Sequence, residues 1–334
     1  MRRFGLPGLS FCLLACPPAL AGGPGFVPIE VTATPIEQFH RGSSETHFGK
    51  LEFRGGLQLA STDRRFGALS GLDLAADGET IVAVADTGFW FSGRIVEKDG
   101  RLVGVDNARW APILDAKGKP VVGKKRGDAE GLRLTTRNGK PMALVSFEQV
   151  NNVRLYAGPD YAAARQAEVK LPATVSGMPR NQGLEAMAVA PTQGPLGGAI
   201  VLIAERSLDK AGNDRAWIVG GPLAGGFALT HTDDFDETDA AFLPGGDLLV
   251  LERRFDFSSG PAMRIRRIAG SELKPGALVG GEMLLEADLS DQIDNMEGLA
   301  VKPGPNGETL LLIVSDDNNS IIQRTLLLQF ALLP

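Results

Sequence analysis

The sequence predicts an all-β protein, a single β-propeller with five blades counted from internal repeats. Three observations carry this. A polar residue opening a short apolar strand, then a turn, then an apolar strand ending on an acid, occurs five times. The first polar residues fall at 70, 130, 185, 239 and 297, at intervals of 60, 55, 54 and 58 residues. With 42 Gly and 21 Pro among 334 residues, and 43% of the chain hydrophobic, many short strands and turns are favoured over long helices.

Residues 1–21 read as an export signal. Arg2 and Arg3 form the basic start, Leu9 to Ala15 is the apolar run, and Ala19-Leu20-Ala21 is a small-x-small cleavage site. Leu13-Leu14-Ala15-Cys16 also resembles a bacterial lipoprotein box, so lipid attachment at Cys16 is the alternative to release into the periplasm or medium. Both cysteines, Cys12 and Cys16, lie in this segment. Cleavage after Ala21 thus excludes disulfides, thiolate catalysis and cysteine zinc sites. It also takes the net charge from −6 to about −8, which argues against a nucleic-acid partner. No later stretch reads as a transmembrane helix, since Ile321–Leu333 is interrupted by Gln323-Arg324 and Gln329.

Residues 22–49 form an N-terminal extension, with one strand expected over Val27–Thr34 and a loop over Glu37–Gly49. The propeller domain spans 50–334. Lys50–Ala60 alternates around Gly55-Gly56 and reads as a bulged strand. The repeats follow: Leu69–Leu74 with Ile81–Asp86, Ala129–Leu134 with Met142–Glu148, Leu184–Val189 with Ile200–Glu205, Thr238–Leu243 with Leu248–Glu252, and Asp294–Val301 with Leu311–Asp316. Further strand-like sequence after each hairpin brings a unit to four strands, the content of a blade. The last unit has room for only one more strand, within Ser320–Phe330, so the Lys50–Ala60 strand is expected to join it and close the ring. Six blades remain the alternative if residues 26–60 and the tail form a degenerate unit. Tyr161–Val169 is the one expected short helix.

In a blade the innermost strand lines the central channel and the next runs back to the same rim. Each repeat therefore brings two residues to one mouth: Ser70 and Asp86, Glu130 and Glu148, Glu185 and Glu205, Asp239 and Glu252, Glu297 and Asp316. Nine of the ten are carboxylates, and crowded like charges need compensation. A hard cation with oxygen ligands, most simply Ca²⁺, would supply it. So would raised carboxylate pKa values suited to acid–base chemistry, or pairing with Arg206, Arg253 and Arg254. The metal-ligand candidates are Glu130, Glu185, Glu297, Asp239 and Asp86. The catalytic candidates are Glu148, Asp316, Glu205 and Glu252, with Glu148 or Asp316 as general base. Arg180, Arg253, Asn181 and Asn318 are the candidates for holding substrate. His40, His47 and His231 lie outside the repeat hairpins, against a Ser-His-Asp triad or a histidine zinc site. No Gly-rich phosphate loop precedes a helix.

The segments Phe66–Leu72, Asp128–Leu132, Asn181–Ala186, Leu251–Phe255 and Asp294–Leu299, with the ending Ser315-Asp316-Asp317-Asn318, together resemble the phytase-like propeller family described as "esterase-like activity of phytase". The resemblance covers about residues 47–331. It implies a β-propeller, an exported bacterial protein and calcium-dependent hydrolysis of phosphoesters. Calcium-dependent phytases have six blades and a lysine-rich phosphate cluster, and this chain departs from both. The expected function is thus a calcium-dependent hydrolase of a small anionic or ester substrate, acting as a monomer. A non-catalytic periplasmic binding propeller and a lactonase-type hydrolase are the alternatives.

Overall fold

The computed structural model describes residues 25–179 and 183–334, except the side chains of residues 125 and 126. The strands assort into five sheets. The first blade runs Leu69–Leu74, Thr80–Ala85, Phe89–Lys98, Arg101–Pro112 from the axis outward. The second runs Ala129–Arg137, Lys140–Phe147, Asn152–Ala157, Ala167–Glu168, and the third Leu184–Val189, Ile200–Leu208, Asp214–Val219, Gly225–Leu229. The fourth is Asp236–Phe242, Leu248–Asp256, Gly260–Ile268, Glu282–Ala287. The fifth is Asn295–Pro303, Thr309–Asp316, Thr325–Leu332, followed by Leu51–Ala60 and Thr32–Ile36. The innermost strands touch in a closed cycle, the fifth meeting the first. The fold is a five-blade propeller, and the described residues form no sixth blade.

Apolar residues alternate along these strands, and each sheet presents one face to each neighbour. Five buried clusters result, one in each interface between adjacent blades. Trp90 and Trp110 are buried within two of them, as blade packing requires.

Three local expectations change. The N-terminal strand divides: Val27–Pro28 pairs with Arg109–Trp110 on the first blade, whereas Thr32–Ile36 pairs with Gly56–Ala60 on the fifth. The helix expected over Tyr161–Val169 is one 3₁₀ turn, Tyr161–Ala163, because Ala167–Glu168 instead pairs with the edge at Arg154–Leu155. The closing strand begins at Thr325, leaving Ile321 and Ile322 exposed in the preceding loop.

The channel is filled. Arg133, on the second blade's inner strand, hydrogen-bonds the carbonyls of Leu72 (2.8 Å), Leu132, Ala240 (3.0 Å) and Leu299 (3.0 Å), from four different blades. It also pairs with Asp239 at 2.7 Å. With Arg133 and Asp239 both buried, this is one staple through the axis.

Candidate functional site

Each blade carries a β-bulge where its inner strand meets the mouth. Pairing jumps between Leu69 and Gly71, between Ala129 and Leu132, between Leu184 and Ala186, between Glu237 and Asp239, and between Met296 and Gly298. A bulge leaves one extra residue and re-aims its side chain. The extra residues are Ser70, Glu185, Thr238 and Glu297, with Glu130 in the corresponding place on the second blade. The second strand contributes the residue one past the pair that flanks the bulge on its mouth side: Asp86, Glu148, Glu205, Arg253 and Asp316.

Two expected members of this ring lie elsewhere. In the fourth blade the mouth positions belong to Thr238 and Arg253, one residue from Asp239 and Glu252, and a one-residue offset sends a strand side chain to the other face. Asp239 points into the channel, accepting from Arg133 and from the backbone N–H of Leu299 at 2.8 Å. Glu252 is enclosed by Arg264 (2.5 Å) and Arg266 (2.9 Å). Neither lines the mouth cavity. The alternation Arg264-Ile265-Arg266 was the available signal, since two arginines two apart on a strand share one face, and Arg264 stands directly across from Glu252.

The other described candidates converge. Asp86, Glu130, Glu148, Glu185, Glu205, Glu297, Asp316, Arg253 and Asn318 line one cavity of about 1120 Å³ at the mouth. Asn318 donates its backbone N–H to Asp316 at 2.6 Å and occupies a left-handed turn. Arg180, Asn181 and the 1–21 segment with Cys16 lie outside the described residues. Sequence reasoning assigned no site role to Asp128, Lys124 and Arg324, which also line the cavity, as do Arg206 and Arg254, the expected partners of the acids. Asp128 stands two residues before Glu130 and accepts from Gln149 at 3.0 Å.

The charges do not balance locally. Lys124 pairs with Asp86 at 2.5 Å, and Arg253 reaches Glu205 (3.3 Å) and Glu297 (3.4 Å). Among the described residues no lysine or arginine forms an ion pair with Glu130, Glu148, Glu185 or Asp316, all buried. Burial, then the neighbouring Glu185 and Glu297, holds the Glu130 carboxyl well above its usual range. Burial, then Glu205 and Glu297, does the same to Glu185. Glu148 is pushed up to about 7 by burial, Asp128 and Glu205. Asp316 is pushed up to about 9 by burial, Glu297 and Asp86. Burial lowers the Arg253 guanidinium, but Glu297 and Glu205 more than offset this and keep it protonated.

Two triads, Asp128–Glu130–Glu148 and Glu148–Glu185–Glu205, each offer carboxylate oxygens all within 4.8 Å of one another. Glu148 belongs to both. The donor set is oxygen alone, which suits a hard divalent cation and disfavours a soft one.

Among solved structures, an α-L-arabinofuranosidase from Podospora anserina in complex with cellotriose is similar over 85% of this chain and 97% of its own, at 12% identity and TM-score 0.50. A thermostable family-43 glycoside hydrolase aligns over 78% of this chain and 88% of its own (10%, TM-score 0.48). A gluconolactonase from Xanthomonas campestris aligns over 94% and 100% (12%, TM-score 0.39). At such identities the first of these speaks for the fold alone. No curated protein matches the chain. The family model for phytase-like proteins, "esterase-like activity of phytase", matches residues 64–319, more than three-quarters of the sequence and all five bulges at the mouth, and the chain belongs to that family.

Proposed function

We propose that this protein is an exported, calcium-dependent hydrolase of phosphoesters or related esters, with the acidic mouth as its active site. The observation that carries this is the set of four buried carboxylates, Glu130, Glu148, Glu185 and Asp316, with which no basic side chain among the described residues pairs. Burying ionised groups unpaired is prohibitive, so they hold either protons or a cation.

Asp128, Glu130, Glu148, Glu185 and Glu205 would hold the calcium. When bound, it would supply positive charge to a substrate oxygen and lower the pKa of water. Arg253 and Arg254 stand beside the triads to hold an oxyanion. Arg254 suits this because its guanidinium stacks on Phe235 and, among the described residues, hydrogen-bonds only the Asp233 carbonyl, at 3.0 Å. Asp316, with its carboxyl raised to about 9, carries a proton at neutral pH. It gives that proton to the departing alkoxide, so its role is proton donor where the sequence suggested a general base. Glu148, which belongs to both acidic triads, is read as a ligand instead.

Calorimetric titration of the chelator-stripped protein with calcium tests the reading. Micromolar binding that weakens about tenfold or more in Glu185→Gln, as loss of a ligating group does, together with calcium-dependent turnover of a phosphoester and ester panel, is the expected result. Absence of binding up to millimolar calcium overturns it and leaves a ring compensated by protons and basic side chains such as Arg253 and Lys124, the condition of a non-catalytic binding propeller.

A further inference from the structure

One wall of the mouth is apolar. The hairpin between Leu248–Asp256 and Gly260–Ile268 lifts Phe255 and Phe257, 63% and 99% exposed, as an edge-to-face pair 5.3 Å apart. Leu289, 56% exposed, lies over the hairpin tip, where a Cβ on Gly260 would meet its methyl groups at 3.4 Å. Ile321 and Ile322, 102% and 85% exposed, crown the loop before Thr325–Leu332. Phe255, Pro261, Leu289 and Ile322 line the same cavity as Glu205, Glu297 and Asp316. Isolated exposed apolar side chains are ordinary, but a contiguous set on the wall of a cavity marks a binding surface.

We propose that this wall is the subsite for an apolar part of the substrate, so that the enzyme acts on amphiphilic phosphoesters bearing an alkyl or aryl group beside the anionic head. This rests on the phosphoester reading above and narrows it. The head is drawn to the floor by the calcium that the triads would hold and by Arg253 and Arg254. A cavity of about 1120 Å³ leaves room well beyond one phosphoryl group. The remainder of the ligand cannot go deeper, because Arg133 and Asp239 fill the channel below. It therefore lies outward, and the fourth- and fifth-blade wall is the surface that gains from covering it. A polyphosphorylated polyol would gain nothing from that contact.

The test is calorimetric titration of the calcium-loaded protein with methyl-, butyl- and octylphosphonate, whose P–C bonds resist hydrolysis. Affinity is expected to rise roughly threefold per methylene from methyl to butyl, below the roughly fourfold of full burial because the wall is open on one side. Phe255→Ser combined with Ile322→Ser is expected to flatten that rise while methylphosphonate affinity holds, and Phe257→Ser to reduce it. These side chains are solvent-exposed, so the substitutions remove little core packing. Equal affinity for the three phosphonates overturns the subsite and leaves the phosphoester reading standing. If neither methylphosphonate nor inorganic phosphate binds, that reading falls and the subsite with it. Binding to phosphatidylglycerol vesicles without binding to monomeric octylphosphonate overturns the subsite in favour of a membrane surface.

Discussion

Arg253 stands where the four other blades place an acid, and it is the mouth's internal counter-ion for Glu205 and Glu297. Among the described residues Arg253 and Lys124 pair with three of the seven ring carboxylates, so the rest titrate late. Glu148 and Asp316 have folded-state pKa values of about 7 and about 9, above the ordinary 4.5 and 3.8. A raised carboxyl pKa stabilises the fold fully below the unfolded value and loses that contribution as pH climbs through the folded one. Chelator-treated protein should therefore melt at progressively lower temperature from about pH 5 to about pH 9, and calcium should reverse the trend while displacing protons. Differential scanning calorimetry across that range checks it, and a flat profile would mean that these groups are ionised without calcium. The residue types were legible from sequence because acids at strand ends recur. Asp239 and Glu252 were not, because each lies one position from the mouth residue of its strand.

Bulge and glycine act together in the inner strands of the first, second and fifth blades. Gly71, Gly131 and Gly298 follow the bulged residue, and in each a Cβ would press on the neighbouring inner strand, at Glu130 O, Glu185 O and Ser70 O respectively. This close approach draws the acid-bearing bulges into one narrow ring. Gly71→Ala meets the backbone of the second blade's inner strand at Glu130 O and Leu132 N, which cannot yield as a side chain tip would. It should cost about 2 kcal/mol, typical of overpacking, measurable by urea denaturation, and should weaken calcium binding by displacing Glu130. The Glu-Gly-Leu pattern made these strands visible in sequence. What the glycine avoids touching belongs to another blade, and no local pattern reveals it.

Across the whole molecule, the ring is tied at its axis by Arg133, which bonds inner-strand carbonyls of four blades and pairs with Asp239. Arg133→Met leaves Asp239 buried without its cation and should cost about 3–5 kcal/mol. Adding Asp239→Ala should recover a large part, because the other blades carry Gly or Ala at that place. A double-mutant cycle in denaturant gives the coupling, and simple additivity would show that the two do not act as a unit.

Length, composition and the 54–60-residue spacing determined the five-blade propeller and the acid-rich mouth, because hydrophobic alternation and turn residues are local and repeat with the blade. Only the tertiary structure decided which acids meet. Bulge register set Thr238 and Arg253 at the mouth and sent Asp239 and Glu252 away from it, while loops from separate blades raised an apolar wall beside the charged floor. Register and inter-blade contact depend on residues far apart in the chain, and a repeat read along the sequence averages over such differences.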